Sequence, residues 1–288
     1  IAIIPKANRS LRPIGMRDNH INLTLSILMK QNSQDIISIF KDCNFALNGP
    51  KGIDKAIVHT NLWREIHPSH DTLFVDGTNA YQLVRRDKSL ECSKHYLPTM
   101  APILHSLHEK DSRIWVLPDE KQSPVGVLTS EGTTQGCGGG MIQQAFGAKL
   151  LYDASQTTAA NAESDAYSIY FSDDGNFGGE TEVVCELMRQ YQRDGPQYGV
   201  TPNSAKTHVL LGQKNNVDDV QACIEQYVEI GVPRENISIH PENNGPAIAY
   251  GKTYLGVPIG SDEFIVDWLE TKFKKYEDEV LKLNEVEN

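Results

Sequence analysis

Tyr170-Phe171-Ser172-Asp173-Asp174-Gly175-Asn176-Phe177 is the stretch on which the reading of this chain turns. Ala166–Phe171 and Gly175–Phe177 are strand-like, and a hairpin between them puts Asp173 and Asp174 at its tip. An Asp-Asp-Gly turn is by itself an ordinary exposed turn, because Asp and Gly are common turn residues. Its meaning depends on what surrounds it. Far upstream, Thr72-Leu73-Phe74-Val75 is a short apolar, β-rich run that reads as a buried strand and ends on Asp76. Two like charges about 4 Å apart repel by ~1 kcal/mol in water and ~4 kcal/mol at an effective dielectric of 20. Three carboxylates that converge therefore imply a bound cation.

Hard carboxylate oxygens on rigid strand ends suit Mg²⁺, with Mn²⁺ as a substitute. Two such ions about 3.5–4 Å apart clamp the attacking and leaving oxygens of a phosphoryl transfer. Asp76, Asp173 and Asp174 are the candidate metal ligands.

Outward from this pair, Ile1–Pro5 and Leu11–Ile14 read as strands joined by a basic turn, and Asn19–Phe40 has helical spacing. Asn79 to Arg86 and Pro98–His108 read as helices, and Arg113–Leu117 with Pro124–Thr129 as two strands. Met141–Tyr152, Glu182–Arg193, Val217–Ile230 and Phe264–Leu283 have helical patterns, and His208–Leu211 and Thr253–Pro258 strand patterns. The alternation predicts an α+β or α/β chain.

The 288 residues are 39% hydrophobic and 23% charged, a globular balance with enough apolar mass for a real core. Every apolar run is interrupted well before 18 residues, so no membrane-spanning helix is expected. Five scattered cysteines without a C-x-x-C pair point to reduced thiols in an intracellular protein. Cys92, His95, His105 and His108 have spacing that a zinc site would accept, although ordinary core and surface roles also explain them. The net charge of −11 argues against a protein that simply coats nucleic acid. The first 64 residues nevertheless carry nine basic side chains against four acidic ones. Opening on Ile1-Ala2-Ile3-Ile4, without a Met or a signal peptide, the chain reads as a piece of a longer polyprotein, with N- and C-terminal domains lying elsewhere.

The order of motifs resembles that of a reverse transcriptase, in particular the non-LTR retrotransposon kind. Ile4-Pro5-Lys6 with Leu11-Arg12-Pro13-Ile14 is similar to the basic fingers segment, and Asn44-Phe45-Ala46-Leu47 with Gly49-Pro50-Lys51-Gly52 to the next fingers motif. Phe74-Val75-Asp76-Gly77-Thr78-Asn79-Ala80-Tyr81 resembles the first carboxylate motif, and Glu131-Gly132-Thr133-Thr134-Gln135-Gly136 the Gln-Gly motif. Tyr170–Gly175 is similar to the Asp-Asp hairpin, Gly199–Thr207 to the late lysine motif, and Tyr254–Gly260 to the primer grip.

That resemblance implies an α+β right-hand polymerase, with a palm of antiparallel sheet backed by helices. It divides the chain into fingers (1–70), palm (71–92), fingers (93–132), palm (133–260) and the start of a thumb (261–288). It implies RNA-directed DNA polymerase activity on an RNA template, a DNA or RNA primer and dNTPs. Asp76, Asp173, Asp174 and Lys206 are then catalytic, with Lys206 as general acid toward pyrophosphate. Lys6, Arg12, Tyr81, Gln135 and Gly136 would bind the nucleotide, and Arg9, Lys51, Leu255 and Gly256 the primer–template. Tyr81, five residues after Asp76, would exclude a 2′-hydroxyl.

One departure stands after Gln135-Gly136, where Cys137-Gly138-Gly139-Gly140 replaces the usual Asp-Pro-Leu. Three glycines opening a helix would weaken it by up to ~1 kcal/mol each. The rival readings are an RNA-templated RNA polymerase and a degenerate or domesticated nucleic-acid-binding remnant.

Overall fold

A computed structural model describes residues 2–5, 11–14, 19–108, 112–116, 125–133, 137–163 and 165–286, with 2–5, 11–14, 112–116 and 283–286 described as backbone only. Lys6, Arg9, Gln135 and Gly136 lie outside the described residues, and Arg12 is described only as backbone.

The chain opens with β1 (Ala2–Pro5) and β2 (Leu11–Ile14), then α1 (Asn19–Gln31), α2 (Ser33–Phe40) and α3 (Gly52–Ile66). Next come β3 (Asp71–Val75), α4 (Ala80–Leu83), α5 (Arg86–Tyr96), α6 (Ala101–His108), β4 (Ser112–Val116) and β5 (Val125–Thr129). The second half holds α7 (Gly140–Ala160), β6 (Tyr167–Phe171), β7 (Asp174–Gly179), α8 (Thr181–Asp194), β8 (His208–Leu210), α9 (Val217–Glu229) and β9 (Ile237–Ser238). It ends with β10 (Gly251–Tyr254), β11 (Val257–Gly260) and α10 (Asp262–Val286).

The central sheet has the order β6-β7-β3-β8-β9, antiparallel except for the β8–β9 pair. β3 is buried along its whole length because both faces of the sheet are covered. Alternate residues point to opposite faces. Leu73 and Val75 accordingly join the larger core with Phe146, Tyr152, Tyr170, Phe177 and Tyr191, while Phe74 joins a smaller cluster with Ala56, Tyr250, Tyr254 and Ile259. α7 and α8 thus back one face, and α3 with the β10–β11 hairpin closes the other. The mixed α+β chain is one of the two classes the strand–helix alternation predicts, and the mainly antiparallel sheet is what the resemblance implies.

Several local expectations are corrected. The helical pattern Asn19–Phe40 is two helices, broken where the Asn32 side chain turns back to donate to the Leu28 carbonyl (2.8 Å) and accepts from Thr99 Oγ1 (2.7 Å). Thr253–Pro258 is not one strand but two, reversing at Leu255-Gly256, both left-handed at φ 50° and 86°. Of the three glycines only Gly140 lies in α7, and Gly139 is its N-cap. A Cβ on Gly139 would stand 3.3 Å from Leu25 Cδ2, so this segment gives α1 a close approach instead of three weak helical turns. The five cysteines are buried and unpaired. Among the described residues no helix is long and apolar enough to cross a membrane.

Candidate active site

β6 and β7 pair with Phe171 opposite Asp174, leaving Ser172-Asp173 as a two-residue turn. Such a turn matches strand twist when its first residue has positive φ, a position that glycine fills most easily. Here Ser172 takes φ 58°. Four hydrogen bonds hold it there. Asn44 Nδ2 donates to the Ser172 carbonyl (3.1 Å), and the Ser172 N–H donates to Asn44 Oδ1 (3.1 Å). Tyr152 Oη donates to the same carbonyl (2.9 Å), and the Ser172 hydroxyl lies 2.9 Å from Tyr81 Oη.

β7 pairs with β3 so that Val75 stands opposite Gly175, and Asp76 follows beside Asp174. Gly77 permits the approach: a Cβ there would lie 3.2 Å from Asp173 Cβ and 3.0 Å from its carbonyl oxygen. The structure therefore brings the 76 and 173–174 segments side by side. The Asp174 carboxyl is pushed up to about 7, first by burial and then by the charges of Asp173 and Asp76. Lys206, in the turn before β8, donates to both Asp76 oxygens at 2.9 and 3.1 Å. That pair is open to solvent, with Asp76 34% and Lys206 56% exposed. Among the described residues no group of three or more His, Cys, Asp or Glu side chains is gathered closely enough to form a ready metal cluster.

A cleft of about 330 Å³ opens at this point, lined by Asp76, Asp174, Lys206, Asn236, Lys252 and Leu255 among others. Of the residues expected from the sequence, Asp76, Asp174, Lys206 and Leu255 line it. Asp173 and Tyr81 stand at the hairpin tip beside it, Gly256 is at the exposed β10–β11 turn, and Lys51 is exposed at the N-cap of α3. Burial raises the Tyr81 hydroxyl above its usual range.

Lys252, Asn236 and Asn44 were not singled out from the sequence. Lys252 shares a strand face with Tyr254, two residues on, so period-two reading of the primer-grip-like segment points to it. Its ammonium forms no hydrogen bond or ion pair among the described residues. Burial lowers its pKa while the carboxylates of Asp76 and Asp174 act in the opposite sense. Burial first and Lys252 second bring His208, in β8, down to about 4. Cys92 faces the core with its thiol pushed up to about 11 by burial, whereas His95 and His105 line an outer groove, so the zinc spacing does not become a site.

No protein-family model and no curated protein matches the chain. Among solved structures, an apo telomerase from Candida tropicalis truncated from its C-terminal domain superposes with a TM-score of 0.53 at 13% identity, over 74% of this chain and 50% of that one. The apo telomerase from Candida tropicalis gives 0.47 at 10% identity, over 74% of this chain and 44% of that one. Telomerase from Candida albicans in complex with a TWJ fragment of telomeric RNA gives 0.42 at 9%, over 85% and 36%. The chain thus spans half the length, or less, of these three structures. At 13% identity the likeness concerns the fold alone, and over the shared region this chain folds as the truncated telomerase does.

Proposed function

We propose that this chain is the polymerase core of an RNA-directed DNA polymerase of the non-LTR retrotransposon kind, adding dNTPs to a primer 3′-hydroxyl on an RNA template. The observation that carries this reading is the meeting of two distant carboxylate segments, Asp76 at the end of β3 and Asp173–Asp174 at the hairpin tip, beside a cleft that also holds Lys206. The fold shared with a telomerase, a relative in the reverse-transcriptase family, supports it. In this reading the central sheet is the palm (71–92 and 133–260), with fingers from 1–70 and 93–132 and a thumb beginning at 261. The chain would work within a longer polyprotein.

Asp76 and Asp173, supported by Asp174, offer the hard oxygens that Mg²⁺ or Mn²⁺ takes. Burial first, and then repulsion from Asp173 and Asp76, lifts Asp174 to about 7, and a bound cation would offset both. Two such ions, when bound, supply charge neutralisation at the triphosphate and activation of the 3′-hydroxyl. Lys206 must then leave Asp76, which frees its ammonium to give a proton to the departing pyrophosphate. Gln135 and Gly136 would lie under the nascent base pair, Lys6 and Arg12 at the phosphates, and Arg9, Lys51, Leu255 and Gly256 along the primer–template.

The Lys206–Asp76 pair also favours a second reading, a non-catalytic nucleic-acid-binding remnant with its carboxylate permanently closed. Primer extension on RNA with Mg²⁺ separates the two. Templated dNTP addition that chelation abolishes is expected; binding of primer–template without any extension would establish the remnant, and preference for rNTPs an RNA polymerase.

Sugar selection provides another test. Tyr81→Ala removes the ring beside the hairpin tip and is expected to raise the rate with rNTP relative to dNTP by about tenfold or more, or ~1.4 kcal/mol of discrimination. An unchanged ratio in competing-nucleotide extension would rule the ring out as the gate.

A further inference from the structure

Ser172, at the hairpin tip of this site, holds a left-handed backbone at φ 58°. Left-handed φ is uncommon outside Gly, Asn and Asp, and persists in other residues only where the surroundings over-determine it. The surroundings here come from an unexpected place, the loop before α3. β6 is an edge of the central sheet, so its outer hydrogen-bonding groups face no strand. The loop fills that edge. Tyr170 N–H donates to the Cys43 carbonyl (2.8 Å), and Phe45 N–H donates to the Tyr170 carbonyl (2.8 Å). Asn44 is fully buried between these two bonds.

Its side chain carries the pairing two residues further, beyond the end of the strand. The amide takes both backbone groups of Ser172, donating to the carbonyl and accepting from the N–H, as a neighbouring strand would. The geometry has a consequence for Asp173, the next residue along the chain. Any relaxation of Ser172 from φ 58° rotates the peptide that carries Asp173 and displaces Asp173, whose Cβ and carbonyl oxygen pack against Gly77, the residue after Asp76. We propose that Asn44 is a positioning residue for the hairpin-tip carboxylates: it completes the hydrogen bonding of Ser172 on the sheet edge and so holds the strained turn that places Asp173. It touches no reacting atom. The kinetic half of this inference rests on the polymerase reading; the structural half does not.

The test follows from what glycine can do. At position 172 glycine takes the left-handed conformation without strain, so a chain with Ser172→Gly needs the clamp less. Four proteins are compared: wild type, Asn44→Ala, Ser172→Gly and the double variant, each with its active sites counted by a burst titration. Asn44→Ala is expected to lower kcat per active site by about tenfold or more, with the KM for dNTP within about twofold of wild type. The double variant is expected within about threefold of Ser172→Gly. A loss confined to the fraction of active sites, or a double variant as slow as Asn44→Ala, would overturn the proposal. Should Asn44→Ala not fold, the double variant against Ser172→Gly decides alone, and a gap above tenfold overturns it.

Crystal structures of the variants keep the inference separate from the polymerase reading. In Asn44→Ala the tip is expected to leave its left-handed turn, and in the double variant to retain it. A wild-type chain that adds no nucleotide would sink the polymerase reading while these structures still decide the clamp. A tip that stays in place in Asn44→Ala ends it.

Discussion

Asp173→Asn is expected to cut templated dNTP addition by at least about a thousandfold, ~4 kcal/mol of barrier, while primer–template binding changes by less than about threefold. The substitution is isosteric, and Ser172 keeps its bonds to Asn44, Tyr152 and Tyr81, none of which uses the Asp173 carboxylate. What disappears is one negative charge beside Asp174 at the hairpin tip. Burial first, and then the charges of Asp173 and Asp76, push the Asp174 carboxyl up to about 7, so the loss of Asp173 moves Asp174 only part of the way back toward the usual carboxylate range. The measurement is single-turnover extension of an RNA-templated primer, with binding followed separately by fluorescence anisotropy. A rate within tenfold of wild type would place the chemistry on other residues.

The carboxylate pair was legible because each half sits where a local pattern ends. Leu73-Phe74-Val75 is apolar at every position because both faces of the sheet are covered, and a charge that follows such a run must leave the sheet. Asp173-Asp174-Gly175 interrupts two strand-like runs in the manner of a hairpin. Other features left weaker traces. The reversal at Leu255-Gly256 puts a leucine at φ 50°, which no turn rule anticipates, so β10 and β11 read as one strand. α5 was missed because its buried face is Ser89, Cys92 and Ser93, small residues that pack closely on α7 but give no apolar period. Asn44 opens the fingers-like motif, yet its role could not have been read from the sequence. Its partner lies 128 residues away, and its role exists only because a loop runs beside a strand edge.

The other large effect is expected at the opposite end of β3. Asp71→Ala should destabilise the fold by about 3–5 kcal/mol in urea denaturation, because it strips the partner from a charge held inside the protein. Asp71 is 0% exposed and Lys214 12%, with Nζ 2.9 Å from Oδ1. The remaining lone pairs are also taken: Gly212 N–H donates to Oδ1 (2.8 Å), and Thr181 Oγ1 (2.6 Å) and Tyr227 Oη (2.9 Å) donate to Oδ2. The double change Asp71→Asn with Lys214→Met removes both charges, and the two hydroxyls can rotate to suit an amide. It is expected to cost clearly less than Asp71→Ala alone. A loss under about 1 kcal/mol for Asp71→Ala would show that the ion pair contributes little. Five residues of extended strand, roughly 17 Å, separate this carboxylate from Asp76, so the rate per folded molecule should stay within about threefold of wild type. One strand thus carries two aspartates with opposite fates. Asp71 has every acceptor position answered by fixed donors and has no capacity left for a ligand. Among the described residues the Asp76 carboxylate is held only by a half-exposed lysine that can swing away, and it is this incomplete satisfaction that leaves a carboxylate free to work.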